Sequence, residues 1–529
     1  MGPSGSSSPR GQPQTGYRNR LAERLRRGAF ALTVESPPLA GSKPLEQVLA
    51  EVLGLACWLE QDGRVDALTV SDRVRTDRDH DPVLAAAQVV EATGSVPLVH
   101  WAGKGRTVRD LEADLERARS WGLSSFLLLT GDALREPAPA GADRYLDSVD
   151  ALRIARQRLP DSLLAAAVNP FKYREEALWG QYVKAAKKLR AGADFLMTQI
   201  GWDPRKLAEV VRWLRARGFG APVLATVWLL TPRVAARLLQ GASLPGVYVP
   251  PDLLRCLESE AQSADHGRRQ AIRRAALQVV GAMRLGLGGA HLCGVHTPRT
   301  LEELLQTVED LAKACPDLAT WQAAWEEAMQ HPDGRPVQLT PEGAYYLDGP
   351  PEGGASPSAS ELRGFHFLGA VDRWVFDPAS PASQALAGVL RRVDPAGPVG
   401  RLLRRAEGAI KGPWLGCQLC GTCRLPHTFF VCPETCPKGL ANGPCGGTDG
   451  NTCEFGDREC IHARIYRLAR YTGELEAWES TWVAPVPDAA RGQCSWLLHY
   501  RGHGARTEVL PAASSPSSAG EPELSEVAT

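Results

Sequence analysis

The stretch LLAAAVNPFKYREEALWGQYVKAAKKLRAGADFLMTQ, residues 163–199, decides the fold class. It begins with an apolar run, Leu163–Val168, continues with a charged amphipathic segment, Tyr173–Arg190, and closes with a second apolar run, Phe195–Gln199. Short apolar runs predict buried strands, and the longer segment with charge on one face predicts a helix between them. A strand, a helix and a second strand in this order form the repeating unit of a parallel sheet.

The same unit recurs over about 265 residues, from position 29 to position 293. Eight strands are predicted: Phe30–Val34, Ala67–Ser71, Pro97–Trp101, Ser125–Thr130, Leu163–Val168, Phe195–Gln199, Val223–Leu229 and Ala290–Cys293. Helices are predicted between them, among them Thr107–Ser120, Tyr173–Arg190, Asp203–Arg217 and His266–Arg284. Eight such repeats in a region of this size predict an α/β fold, the (β/α)₈ or TIM barrel.

Length and charge restrict the remaining possibilities. At 529 residues the chain is expected to hold two to four domains. Basic and acidic residues both number 60, which removes the basic field expected of a nucleic-acid binder. No apolar run is long enough to span a bilayer, and residues 1–15 lack the apolar core of a secretory signal. We therefore expect a cytoplasmic protein with neither nucleic acid nor membrane as a partner.

Cysteine placement predicts a metal site. Eight of the 13 cysteines lie within residues 417–460, and thiolates in a reducing compartment bind metals more readily than they form disulfides. The predicted ligands are Cys417, Cys420, Cys423, Cys432, Cys436, Cys445, Cys453 and Cys460. The spacing is similar to an interrupted ferredoxin run and suffices for two four-ligand sites, so iron–sulfur clusters, [4Fe–4S] in type, are favoured. Zinc remains open, with His427 or His462 as substitute ligands.

Composition also suggests the domain organisation. We expect a disordered tail at 1–17, a barrel at 18–310 and a turn-rich connector at 311–361. A small cysteine-rich metal-binding domain should follow at 362–490, with residues 362–414 packing it onto the barrel. A C-terminal tail is expected at 491–529, disordered at least from residue 513, because that segment is poor in apolar residues.

Polar residues cluster at the predicted strand ends. Catalytic groups of a barrel lie where strands end at the carboxyl face, so these residues are the candidate site. They are Glu35, Asp72, His100, Asp132, Asn169 and Gln199. Lys184, Lys187 and Lys188 precede the sixth strand and could either reach a phosphate or lie solvated on a helix surface.

Several of these segments together resemble a known family. Val34-Glu35-Ser-Pro-Pro, Leu129-Thr-Gly131-Asp132 and Gly192-Ala-Asp-Phe-Leu-Met-Thr-Gln199 occur in the order and spacing of methylenetetrahydrofolate reductase, and the resemblance runs over about residues 18–305. The segment Asn442-Gly-Pro-Cys445-Gly-Gly is similar to a C-terminal domain associated with some members.

The resemblance implies a reaction and a division of roles. The family reduces 5,10-methylenetetrahydrofolate to 5-methyltetrahydrofolate through bound FAD. Glu35 would be the general acid, Asp132 a catalytic carboxylate near both flavin and folate, and Gln199 the group reading the pterin edge. Flavin contacts would be Ser71, Asp72, His100, Gly131, Asp132, Asn169 and Lys188.

The resemblance also implies partners. The electron donor would be NAD(P)H or ferredoxin, a redox partner protein would contact the cysteine-rich domain, and the enzyme would be an oligomer. The competing interpretation is a folate- and flavin-binding scaffold, or an electron-transfer protein without reductase turnover, whose cysteines bind structural zinc. A methyltransferase barrel is a third interpretation, but no cobalamin motif supports it.

Overall fold

A computed structural model describes residues 16–74, 76–134, 145–239, 244–349 and 354–512 of the chain. The disordered tails expected from the sequence lie almost entirely outside these residues. Within the described ranges, no helix has both the length and the apolar character needed to cross a bilayer.

Eight parallel strands form a closed barrel in chain order, which confirms the predicted fold class. The last strand pairs with the first, with His291 opposite Thr33. The strands are β1 Ala31–Glu35, β2 Ala67–Val70, β3 Leu98–Ala102, β4 Ser125–Leu129, β5 Leu163–Val168, β6 Phe195–Ile200, β7 Val223–Trp228 and β8 Gly289–Cys293.

Helices surround the barrel and close its amino-terminal end. Leu21 packs inside the barrel against Ala31, Leu98 and Phe195, so the first helix seals the base and leaves the carboxyl end open. The helices are α1 Arg20–Arg26, α2 Leu45–Asp62, α3 Pro82–Thr93, α4 Val108–Ser120, α5 Ser148–Arg158, α6 Glu175–Arg190, α7 Pro204–Ala216, α8 Pro232–Leu239, α9 Pro251–Glu260, α10 Arg268–Arg284, α11 Pro298–Ala314 and α12 Leu318–Ala328.

The second domain has helices before and after a segment of turns that carries the cysteines. Its two short strands pair in antiparallel fashion. The elements are α13 Ala359–Val371, which continues into one π-helical turn over Asp372–Phe376, α14 Pro381–Leu390, α15 Pro398–Leu415, α16 Ile461–Thr472, α17 Leu475–Ser480, β9 Thr481–Val483, α18 Ser495–Tyr500 and β10 Thr507–Val509. We call residues 417–460 the cysteine module.

The two domains pack together chiefly through α6 of the barrel and the helices that follow the cysteines. Val183 of α6 shares a buried cluster with Ile465 and Trp478, and the rings of Trp179 and Tyr466 stack with centroids 6.0 Å apart. Residues 362–414, expected to make this contact, add only a few side chains such as Phe365 to the edge of that cluster. The helices after the cysteines therefore hold the domains together, and much of α13–α15 remains exposed.

Candidate functional site

Two histidines lie inside the barrel below its open end. His291 Nδ1 is 3.0 Å from Thr33 Oγ1, and the rings of His100 and His291 meet edge to face with centroids 6.3 Å apart. Burial lowers the pKa of His100 to about 4, and burial together with repulsion from His100 lowers the pKa of His291 to about 3. Both rings are therefore neutral near pH 7. Among the described residues, His100 Nε2 is buried without a hydrogen-bond partner.

Glu35 is the carboxylate at the mouth of the barrel. Ser71 Oγ donates a hydrogen bond to Glu35 Oε1 at 3.1 Å, and the backbone N–H of Gly294 donates to Oε2 at 3.4 Å. Burial, with the nearby charge of Glu35, raises the pKa of the Cys293 thiol at the end of β8. Residues that follow β2 and β8 thus fix the carboxylate that ends β1, and the side chain keeps partial access to solvent.

Gln199 lies at an irregular point of the barrel. The register between β6 and β7 shifts between Met197 and Ile200, and bulges of this kind often redirect a side chain next to an active site. The half-buried Gln199 accepts a hydrogen bond at Oε1 from the N–H of Ile200 at 2.9 Å. This bond orients the amide at the carboxyl end of the strand, where the sequence placed it.

Asp72 is held by protein groups on both carboxylate oxygens. Oδ2 accepts from the N–H of Ala102 at 2.7 Å and from Arg106 Nη1 at 2.6 Å, and Oδ1 accepts from Arg73 Nε at 3.3 Å. The side chain is fully buried. Its contacts tie the loops after β2 and β3 together, so Asp72 shapes the mouth rather than offering a free carboxylate to a ligand.

The cysteine module reaches the barrel mouth beside Asp132. Gly131 has φ +86°, a conformation that favours glycine, and its carbonyl oxygen accepts a hydrogen bond from Lys438 Nζ at 2.7 Å. Lys438 also pairs with Glu454 at 2.8 Å, and both side chains are almost completely buried. The neighbouring Asp132 is exposed and close enough to act electrostatically on Lys438.

A second contact joins the loop after β5 to the glycine-rich part of the module. Asn169 Nδ2 donates to the carbonyl oxygens of Gly246 at 2.7 Å and Gly446 at 3.3 Å, and Lys172 donates to the carbonyl of Thr448. Asn169, a predicted flavin contact, is thereby committed to the domain interface.

The lysines of α6 are buried rather than solvated. Lys184 pairs with Asp147 at 2.8 Å and donates to the carbonyl of Gly443 at 3.1 Å, while Lys188 donates to the carbonyl of Ala167 at 2.6 Å. Burial lowers the pKa of both Lys187 and Lys188 to about 7. Of the two alternatives expected from the sequence, the solvated helix surface is wrong, because all three lysines are buried.

The eight clustered cysteines separate into two sets of four, and all thirteen cysteines of the chain are free thiols. The first quartet lines one cavity and consists of Cys417, Cys420, Cys423 and Cys432. The second quartet lines another cavity and consists of Cys436, Cys445, Cys453 and Cys460. The division follows chain order, and the short helical turn Pro433–Thr435 separates the last cysteine of one set from the first of the other.

Buried thiols in both quartets resist ionisation. Burial raises the pKa of Cys420 to about 11 and of Cys432 to about 12 in the first quartet, and of Cys445 to about 11 in the second. Such groups become thiolates when a bound cation compensates their charge, which is the behaviour of soft metal ligands. Lys411 Nζ lies 3.8 Å from Cys423 Sγ and provides one fixed positive charge beside the first quartet.

The two histidines named as substitute ligands have different surroundings. His462 lines the cavity of the second quartet, is buried, and has no hydrogen-bond partner on either ring nitrogen among the described residues. His427 is exposed and does not line either quartet's cavity. Within the described part of the chain, no three His, Cys, Asp or Glu side chains are placed to hold one metal ion, so each quartet surrounds a cavity without converging on one point.

Comparison with known proteins identifies both regions. The sequence pattern described as "Methylenetetrahydrofolate reductase" matches residues 22–309, and the pattern described as "Methylene-tetrahydrofolate reductase C terminal" matches residues 401–487. No curated protein matches the chain.

Two solved structures are similar to parts of the chain. One is an uncharacterized protein from Clostridium thermocellum described as binding two copies of 5-methyl-5,6,7,8-tetrahydrofolic acid. It has a TM-score of 0.41 and 14% identity and covers 56% of this chain and 99% of its own. The other is a phosphoenolpyruvate phosphomutase from Streptomyces platensis subsp. rosaceus. Its TM-score is 0.29 and its identity 12%, and it covers 58% of this chain and 90% of its own.

Proposed function

The chain belongs to the methylenetetrahydrofolate reductase family, and from this membership we propose that it reduces 5,10-methylenetetrahydrofolate to 5-methyltetrahydrofolate with a bound flavin. The observation that carries the proposal is the position of Glu35. Its carboxylate ends β1 at the open end of the barrel, and Ser71 and Gly294 hold it there. A positioned acid at this end of a barrel is what a proton-assisted reaction on a bound folate requires.

One feature of the barrel mouth supports a bound flavin independently of the family match. His100 Nε2 and Thr69 Oγ1 are buried and lack hydrogen-bond partners among the described residues, so both can bond a polar ring that enters the mouth. Ser71, His100, Gly131 and Asp132 are proposed to hold FAD directly. Asp72, Asn169 and Lys188, also expected to contact flavin, would act indirectly because protein groups already occupy them.

Glu35 is proposed to act as the general acid. Protonated Glu35 transfers its proton to a nitrogen of the five-membered ring of the folate as that carbon–nitrogen bond breaks, leaving an iminium at the one-carbon unit. FAD, when bound and reduced, supplies the hydride that this carbon accepts. Ser71 keeps the carboxyl group in place. Gln199, whose amide is orientated by the backbone N–H of Ile200, is proposed to form hydrogen bonds with the edge of the pterin.

We propose that each cysteine quartet holds an iron–sulfur cluster of the [4Fe–4S] type and that the two relay electrons to the barrel. Four sulfurs spread around a cavity suit a polynuclear cluster better than a single zinc ion, which requires all four about 2.3 Å from one point. The second quartet is proposed to lie nearer to the barrel site than the first. Lys438 and Gly446, which are close in sequence to its cysteines, contact the barrel mouth.

A single anaerobic preparation of the protein distinguishes the reductase from the scaffold interpretation. The chain, purified without oxygen, should show flavin absorption together with broad absorption from iron–sulfur clusters, and it should reduce methylenetetrahydrofolate when given an electron donor. A yellow protein that contains zinc and lacks turnover would support the scaffold interpretation. A colourless protein that takes up no flavin would exclude the reductase.

A further inference from the structure

His462 is buried in the wall of the cavity that the second cysteine quartet surrounds. The residue is 1% exposed, and among the described residues neither ring nitrogen has a hydrogen-bond partner. Apolar residues make up much of the same wall, namely Pro437, Leu440, Pro444 and Ile461. An unpaired polar ring among apolar neighbours costs free energy, so a buried histidine of this kind indicates a partner that enters the cavity.

The charged side chains of this cavity wall are already paired. Glu459 forms an ion pair with Arg467 at 2.7 Å, and Arg458 forms one with Asp457. Among the described residues that line the cavity, His462 alone has buried side-chain nitrogen or oxygen atoms without a hydrogen-bond partner. The imidazole is therefore the group of this wall that is available to whatever the second quartet binds.

The helix that carries His462 begins at the second quartet. Cys460 is the N-cap of α16, and no side chain caps this end of the helix. The backbone N–H of His462 instead donates a hydrogen bond to the sulfur of Cys460. One residue thus places a main-chain donor on a cysteine of the second quartet and an unpaired ring in the wall of its cavity.

We propose that the ring of His462 donates an N–H hydrogen bond to a sulfur atom of the cluster in the second quartet. This role depends on the proposed function, because the quartet must hold an iron–sulfur cluster. A histidine has at least one ring N–H whether it is neutral or protonated, so a donor is present in either state. Hydrogen bonds to the sulfurs are one of the means by which a protein sets the reduction potential of a cluster.

A hydrogen-bond donor differs from the substitute ligand considered for zinc. Four cysteines supply one thiolate to each iron of a [4Fe–4S] cluster, so the second quartet is complete without an imidazole. No histidine is among the described residues that line the cavity of the first quartet, where the cations are Lys411 and Arg424. The proposed donor therefore acts on the second cluster and not on the first.

The hydrogen bond should raise the reduction potential of the second cluster. Reduction adds one electron and makes the sulfur atoms more negative, so the bond is stronger in the reduced state than in the oxidised state. Removal of the donor should shift the reduction equilibrium of this cluster about tenfold toward the oxidised form, which corresponds to about 59 mV for one electron.

Three variants of the full-length, anaerobically purified protein test this role. His462→Phe keeps a planar ring and removes the donor, so the potential of the second cluster should fall. His462→Gln retains an N–H and should recover part of the loss. His427→Phe, at an exposed position outside both cavities, is the matched control and should leave both potentials unchanged. Iron analysis and a redox titration followed by electron paramagnetic resonance measure the content and the potential of each cluster.

A measurement on the wild-type protein does not depend on how the variants fold. The protein is labelled with ¹⁵N only in the imidazole rings of its histidines, so the backbone nitrogen of His462 gives no ¹⁵N signal. Pulsed electron paramagnetic resonance should then detect a weak coupling between a ring nitrogen and the reduced second cluster. A nitrogen bound directly to iron would give a much stronger coupling.

Several results would overturn the proposed hydrogen bond. Equal potentials in wild type and His462→Phe with full iron in both, or no coupling to a ring nitrogen, would show that the ring does not contact the cluster. A strong coupling, with loss of roughly half of the iron from His462→Phe, would make His462 an iron ligand instead. Either result leaves the proposed function standing. A wild-type protein without iron would refute the proposed clusters and the hydrogen bond together.

Discussion

Lys438 of the cysteine module donates a hydrogen bond to the carbonyl oxygen of Gly131, just beyond β4 of the barrel, over 2.7 Å. Burial alone would lower the pKa of Lys438, but the charges of Cys445 and Glu454 outweigh burial and raise it. A permanent cation therefore lies between the second quartet and the predicted flavin site.

Replacing Lys438 with methionine should lower the reduction potential of the second cluster. Without the cation, an added electron is less stabilised, and the expected shift is on the order of 50 mV, or ~1 kcal/mol for one electron. The double change Lys438→Met with Glu454→Gln removes both charges of the pair and should restore most of the potential. A redox titration followed by electron paramagnetic resonance measures the shift, and equal potentials in all three proteins would contradict this role.

Glu35→Gln should abolish folate reduction and leave flavin and folate binding largely intact. Glutamine can keep the hydrogen bond from Ser71 but has no proton to give to the substrate. The expected loss in kcat is at least about 100-fold, the range for removal of a general acid. Glu46→Gln, on the exposed face of α2, is the matched control. Unchanged turnover in Glu35→Gln would remove this residue from the mechanism.

The two quartets should be separable by single substitutions. Cys417→Ser and Cys460→Ser each remove a ligand from one quartet only, so each variant should retain roughly half of the iron, about four atoms per chain. Cys57→Ser, in α2 of the barrel, should retain all of it. Iron and zinc analysis of anaerobically purified proteins checks this. Loss of all metal from either variant would show that the quartets do not act independently.

Local sequence patterns carry most of the information about the barrel. Apolar runs bounded by turn-forming residues predicted all eight strands to within one or two residues, because a strand buried on both faces has a continuous apolar signature. The boundary errors have a local cause. The predicted helix Thr107–Ser120 begins at Val108 because Thr107 is its N-cap, where its side chain accepts a hydrogen bond from the N–H of Asp110.

The parts of the site that sequence could not supply depend on distant partners. Asp72 was a plausible ligand contact until Arg106, far along the chain, was found on its carboxylate. Lys184 was expected either to reach a phosphate or to lie solvated on a helix surface, but it pairs with Asp147 and donates to the carbonyl of Gly443 at the domain interface. No local pattern reports such pairings, since they arise only when segments that are distant in the chain pack together.

Gln199→Ala should weaken folate binding more than flavin binding, because the amide is proposed to face the pterin. Loss of one or two hydrogen bonds predicts a roughly 10-fold rise in the dissociation constant for folate. Gln199→Glu retains the size of the side chain and removes the amide donor, so it should also weaken folate. Fluorescence titration of the flavin-loaded protein measures folate binding, and equal losses for both ligands would contradict the assignment.

Replacing His100 with glutamine should make the free energy of unfolding less dependent on pH between about 6.5 and about 4. The pKa of His100 is lowered by burial from 6.5 to about 4, so the unfolded chain binds the proton more readily than the folded chain. The free energy of unfolding of wild type should therefore fall as pH drops from about 6.5 to about 4, by roughly 3 kcal/mol from this ring. Urea unfolding of the flavin-free chain across this window should show that His100→Gln loses less stability than wild type.

His503→Gln, at an exposed position, is the control and should follow wild type. Parallel curves for wild type and His100→Gln would mean that His100 is not held neutral inside the barrel.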